Sequence, residues 1–152
     1  MLSLTLHTNA VAETEKAGAM LAEQLTDDSK LPRFVALYGD LGVGKTAFVR
    51  GFASVLAPTA PVRSPTFALV NEYRGLSAPL FHFDMYRITD EDDLFSIGYD
   101  DYLARDGFCL VEWSENIEGA IPPHHLRVEI IKDDPDAPDS RVIKIEEKIP
   151  LC

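Results

Sequence analysis

The sequence predicts an α/β fold: a central mixed sheet with flanking helices, forming one domain over residues 1–152. Three observations predict it. Residues 34–38, FVALY, form a continuous apolar run of the kind found in a strand buried on both faces. That run leads straight into a glycine-rich loop, GDLGVGKT, and then into KTAFVRGFASVL, a helix ending near Pro58. Further strand-like runs follow, with no internal repeat and no second core pattern, and 152 residues suit one domain with one core.

The elements follow in order. Residues 2–6 read as a short strand, and Thr8 or Asn9 is the candidate cap of a helix over 10–25, in which Val11, Ala17, Leu21 and Leu25 fall at helical spacing. Residues 26–32 are polar and make a loop before the buried strand. Beyond the second helix, TFALVNEY (66–73) and LFHFDMY (80–86) bracket a Gly/Ser/Pro turn and predict a hairpin. Thr89, Asp90, Glu91 and Asp92 have the spacing of a capping box that opens a short acidic helix toward Ile97. Residues 108–113 form another apolar strand. Residues 126–131 and 142–145 are strands joined by the polar, proline-rich DDPDAPDS.

Composition narrows the functional classes. Hydrophobic residues make up 46% and charged residues 26%, as in an ordinary soluble globular protein. No run approaches the roughly 18 apolar residues of a membrane span, and the N-terminus lacks the basic and apolar regions of a signal peptide, so a cytoplasmic protein is expected. Cys109 lies in an apolar run and reads as a small buried hydrophobe; with Cys152 as the last residue, a structural disulfide is not expected. The net charge of −11, from 25 acidic and 14 basic residues, opposes unaided binding to DNA or RNA, because phosphate contacts need clustered Lys and Arg.

The loop Gly39–Thr46 matches G-x-x-x-x-G-K-[ST], the phosphate-binding P-loop. Four fixed positions would match by chance in roughly one chain of this length in a few hundred. Its place between a buried strand and a helix is the context in which the motif has physical meaning. Gly39, Gly42 and Gly44 let the backbone fold into a nest of N–H groups, completed by Asp40, Leu41 and Val43. The following helix adds the positive end of its dipole to the same anion. Lys45 would bridge the β- and γ-phosphates, and the Thr46 hydroxyl would take a Mg²⁺ coordination position. Such a site needs acidic groups at the ends of neighbouring strands. Asp84 ends LFHFD and Glu112 ends FCLVE; each is costly at a buried strand end without a cation or hydrogen-bond donors. His82 alternates with Asp84 and shares its face, and is compatible with either a structural or a functional role.

GDLGVGKTAFVRGFA, SPTFALVNEY, HFDMYR and VEW together resemble the small bacterial P-loop ATPase family required for threonylcarbamoyladenosine modification of tRNA, the TsaE type. The resemblance covers about residues 39–113, with a looser match beyond. It implies ATP and Mg²⁺ as ligands, with Lys45 and Thr46 on phosphate and metal, and Glu112 as a second metal-site acid. Asp84 takes the Walker B position, and Thr66 resembles a switch residue sensing the γ-phosphate. It also implies that Trp113 lies near the nucleotide, although an ordinary core aromatic is an equal reading, and that Arg141 approaches it. The implied partners are a metal-dependent threonylcarbamoyl transferase and its inactive paralogue (TsaD and TsaB types), which modify adenosine 37 of tRNA. The ATPase would meet tRNA only indirectly or within that complex, and would not itself perform the transfer. Two positions depart from the family pattern: Ala47 replaces a second threonine, and Ser114 replaces the proline after EW.

Neither Arg50 nor Arg87 reads as an obvious arginine finger, so slow hydrolysis accelerated by docked partners is expected. A small-molecule kinase and a nucleotide-dependent regulatory module remain as alternatives. A GTP switch lacks its guanine-reading motif, since Asn71 is followed by Glu72 and Tyr73.

Overall fold

A computed structural model describes residues 1–39, 44–65 and 67–150. The elements are β1 (Ser3–Thr8), α1 (Val11–Asp27), β2 (Phe34–Tyr38), α2 (Lys45–Leu56), β3 (Val70–Tyr73), β4 (Leu80–Asp84), α3 (Glu91–Ser96), α4 (Tyr99–Ala104), β5 (Phe108–Glu112), a 3₁₀ segment (Ser114–Ala120), β6 (His125–Ile131) and β7 (Arg141–Lys148). The strands form one sheet in the order β1-β7-β6-β2-β5-β4-β3. β6, β2, β5 and β4 are mutually parallel, whereas β1, β7 and β3 join antiparallel, so the sheet is mixed as expected.

The sheet divides the core in two. Val35, Leu37, Leu80, Leu110, Leu126 and Val128 face α1 and α2, where Leu21, Phe48 and Phe52 cover them. The alternate residues Phe34, Ala36, Phe81, Phe83, Cys109 and Val111 face Leu94, Tyr99 and Ile117 of α3, α4 and the 3₁₀ segment. This is the period-2 alternation of a strand with both faces covered, and it accounts for the unbroken apolar runs. Burial pushes the Cys109 thiol up to about 12, which fits its expected role as a small core hydrophobe.

Several boundaries differ from expectation. The N-cap of α1 is Ala10, not Thr8 or Asn9. The Thr8 hydroxyl instead shares a 2.9 Å hydrogen bond with Thr14, while the Asn9 N–H donates to the Glu13 carboxylate. Val11 points away from the core and is 56% exposed. The short acidic helix starts at Asp90, whose carboxylate accepts from Asp93 N–H; Asp93 in turn accepts from the Thr89 N–H and hydroxyl. The expected box is thus present, displaced by one residue. β3 begins at residue 70, because Leu69 adopts a left-handed φ of 69° and its N–H closes a turn onto Pro65. β4 stops at Asp84, whose carboxylate accepts from Tyr86 N–H in a turn. β7 runs from Arg141 to Lys148, longer than the 142–145 expected, because β1 and β6 both pair with it.

Candidate functional site

The parallel strands β2, β4 and β5 all point their C-terminal ends at one edge of the sheet, the edge where ligands bind in open α/β folds. α2 begins there. Its N-cap is Gly44 at φ 104°, a conformation that L side chains rarely adopt, and a glycine has no side chain with which to cap the helix. The first-turn N–H groups of α2 thus take no cap from the N-cap residue itself.

Residues drawn from distant parts of the chain converge at this edge. Gly44, Lys45, Thr46, Ala47, Asp84, Glu112 and Trp113 line one cavity of about 420 Å³, together with Val11, Arg50 and Ser64. Lys45 is 6% exposed; its ammonium donates to the Gly39 carbonyl at 2.7 Å and lies 3.9 Å from the centre of the Trp113 ring. That cation–π contact puts the indole face against the Lys45 ammonium, at the wall of the same cavity. Trp113 reaches it because its φ of 56° turns the chain sharply after β5. Tyr86 packs against the indole at 5.0 Å. Asn116 donates to the Met85 carbonyl at 2.9 Å, tying the 3₁₀ segment to the chain leaving β4.

Asp84 and Glu112 sit directly opposite each other in the β4–β5 register and are 6% and 8% exposed. Two carboxylates so placed repel each other and lose hydration, a cost that cations and donors must offset. One such donor is His82, whose Nε2 lies 2.6 Å from Glu112 Oε2. Among the described residues no group of three or more His, Cys, Asp or Glu side chains is arranged to hold a metal alone. Mg²⁺ binds proteins through one or two carboxylates and takes its remaining ligands from phosphate and water. A pair of buried, facing carboxylates beside a threonine hydroxyl is a donor set suited to it.

Arg141 lies at the same edge, with its Nε 3.9 Å from where a Cβ on Gly44 would stand. Its guanidinium donates to the carbonyls of Pro138 and Ser140. Arg50, one of the cavity-lining residues, pairs with Glu15 at 3.0 Å, and Arg87 stacks over Phe67. Ala47, the departure from the family pattern, lines the cavity with a methyl group in place of a second threonine hydroxyl. Ser114 is fully buried and donates to the Val111 carbonyl, so the change from proline serves the turn. Asp40, Leu41, Gly42, Val43 and Thr66 lie outside the described residues. Sequence reasoning missed Val11 and Ser64 as lining residues. Ser64 stood inside the SPTF block and could have been found there; Val11 carried only the signal of a helical apolar position.

A model of the family "Threonylcarbamoyl adenosine biosynthesis protein TsaE" matches residues 8–143. The tRNA threonylcarbamoyladenosine biosynthesis protein TsaE of Bacillus subtilis is 41% identical over 123 residues, covering 81% of this chain and 70% of the relative. The protein of the same name from Haemophilus influenzae is 42% identical over 96 residues, covering 63% of this chain and 61% of the relative. A crystal structure of Bacillus subtilis YdiB superposes with a TM-score of 0.68 at 29% identity, over 97% of this chain and 86% of that one.

Proposed function

The chain belongs to the TsaE family of threonylcarbamoyl adenosine biosynthesis proteins, and from that premise we propose that residues 1–152 form one Mg²⁺-dependent, slowly hydrolysing P-loop ATPase domain. The observation that carries this reading is the convergence of Lys45, Thr46, Asp84, Glu112 and Trp113 on one cavity at the N-terminus of α2.

Each residue then has a task. The first-turn N–H groups of α2 and the Lys45 ammonium bind the β- and γ-phosphates. Mg²⁺, held by Thr46, Asp84 and Glu112, would neutralise charge building on the phosphate oxygens. Asp84 also orients the attacking water, and Thr66 senses the γ-phosphate. Trp113 walls the site and restricts water around Lys45. Arg141 adds positive charge from the far side of Gly44.

The family's place in tRNA threonylcarbamoyladenosine biosynthesis supplies the purpose. The ATPase cycle serves a threonylcarbamoyl transferase and its inactive paralogue, and does not itself transfer the group. With a net charge of −11, the protein acts on tRNA through those partners, in the cytoplasm. Among the described residues no helix is long and apolar enough to cross a membrane.

ATP binding and turnover by the purified protein, with and without the transferase pair, test this. Binding is expected to require Lys45 and to be lost in Lys45→Ala, while turnover rises when the pair is added. Failure of the wild type to bind ATP would remove the ATPase reading; equal turnover with and without partners would remove the coupling.

A further inference from the structure

His82 is the most deeply buried ionisable side chain beside the cavity and takes no part in the chemistry proposed above. It is 2% exposed, in the middle of β4. By strand alternation it shares the face of Asp84, the face that α2 covers. In the β4–β5 register it stands opposite Leu110, one pleat behind the Asp84–Glu112 pair, and so reaches Glu112 diagonally. The contact is short, 2.6 Å between His82 Nε2 and Glu112 Oε2. The other ring nitrogen, Nδ1, is buried with no hydrogen-bond partner among the described residues.

A histidine kept for stability would use both nitrogens, since an unpaired buried polar atom costs free energy that an apolar residue of similar volume avoids. Among the described residues the ring forgoes one hydrogen bond and makes the one to Glu112. Leu80 below it and Leu110 across from it show that apolar side chains fit this part of the sheet. Its polar contact with Glu112 is therefore what distinguishes it from its described neighbours.

We propose that His82 is a positioning residue for Glu112. By engaging Oε2 it holds the carboxylate plane and turns the remaining oxygen toward the cavity. This rests on Glu112 serving the metal site of the ATPase reading. Partners of this kind fix a ligand's orientation without touching metal or substrate, and their loss costs about 10- to 100-fold in metal affinity or activity.

The test is a double-mutant cycle on ATP hydrolysis by the purified protein, with ATP binding measured in the presence and absence of Mg²⁺. His82→Leu is expected to lower kcat, and the Mg²⁺-dependent part of ATP affinity, by about tenfold or more. Binding without Mg²⁺ should hold, because the phosphate-binding loop and Lys45 remain. In a Glu112→Gln background the same substitution should add less than about twofold, the non-additivity expected of residues acting as a unit. His82→Gln, whose amide can reach Glu112, should recover most of the lost turnover. Should His82→Leu fail to fold, His82→Asn, with an amide too short to reach, takes its place in the cycle.

A folded His82→Leu with wild-type kcat and Mg²⁺ dependence would overturn the proposal, as would full additivity with Glu112→Gln. Wild-type protein that binds ATP but shows no Mg²⁺-dependent turnover would instead remove the ATPase reading, and this inference with it.

Discussion

Lys45 carries its charge into a nearly closed corner, between an indole face and a backbone carbonyl. A buried ammonium needs such neighbours, because desolvation disfavours charge unless donors and acceptors replace the lost water. Arg141 meets the same loop from outside the P-loop motif. It comes from β7, more than ninety residues later in the chain, and its loop carbonyls at Pro138 and Ser140 hold it in place. Replacing it tests whether this second cation contributes to the nucleotide site. Arg141→Ala is expected to weaken ATP binding about tenfold, the value of one charge-assisted hydrogen bond, with little change in Tm. Titration calorimetry beside thermal unfolding measures both. The strand-end places of Asp84 and Glu112 were legible residue by residue, because each closes a local apolar run. Arg141 was legible only through resemblance, and the His82–Glu112 contact not at all, since thirty residues separate its members and no local pattern links them.

α1 and α2 meet through glycine. A Cβ on Gly51 would collide with the backbone carbonyl of Glu15, and one on Gly18 with that of Phe48. These are backbone atoms of packed helices, so no side chain can swing aside to make room. The close approach also sets where α2 starts, and therefore where its N-terminus points relative to Asp84 and Glu112. Gly51→Ala is expected to destabilise the fold. Overpacking costs about 1–3 kcal/mol and the gain in helix propensity returns at most about 1 kcal/mol. Denaturant unfolding should show a lower midpoint at unchanged m-value, and a more stable variant would count against this packing account. α1 was legible from apolar spacing and α2 from its place after the glycine-rich loop, and α2 ends at Leu56, two residues before Pro58. The shortened β3 was not: TFALVNEY has strand composition throughout, but the left-handed turn at Leu69 depends on neighbours the local pattern does not contain. α4 was missed because YDDYLA is too short and too acidic to show a clear period.

Across the whole molecule, the sheet is closed at one side by the antiparallel strands β1 and β7, and Glu147 fastens them. Its carboxylate accepts from His124 Nε2 at 2.8 Å and from the Leu2 N–H at 3.1 Å. The His124 hydrogen bond first, then that of Leu2, holds the carboxyl below its ordinary range. A lowered value in the folded state means that folding favours the carboxylate. The resulting stability is complete above the ordinary range and is lost as pH falls through the lowered value. Glu147→Gln should therefore cost about 1 kcal/mol at neutral pH, and the gap to wild type should close in acid. Tm measured for both proteins from pH 7 down to pH 3 checks this; a gap that widened in acid would contradict the sign.

Local patterns in the sequence encode a buried strand, a glycine-rich loop and a helix in succession, acids at two strand ends, and blocks specific enough to indicate a family. Each is encoded within a few consecutive residues, where glycine conformation, apolar period and charge act directly. Only the tertiary structure decided that β6 lies between β7 and β2, that Trp113 covers Lys45, that Arg141 approaches Gly44 and that His82 engages Glu112. Strand order and cross-chain contacts depend on which surfaces are buried against which, a property of the whole packed chain that no short stretch of residues contains.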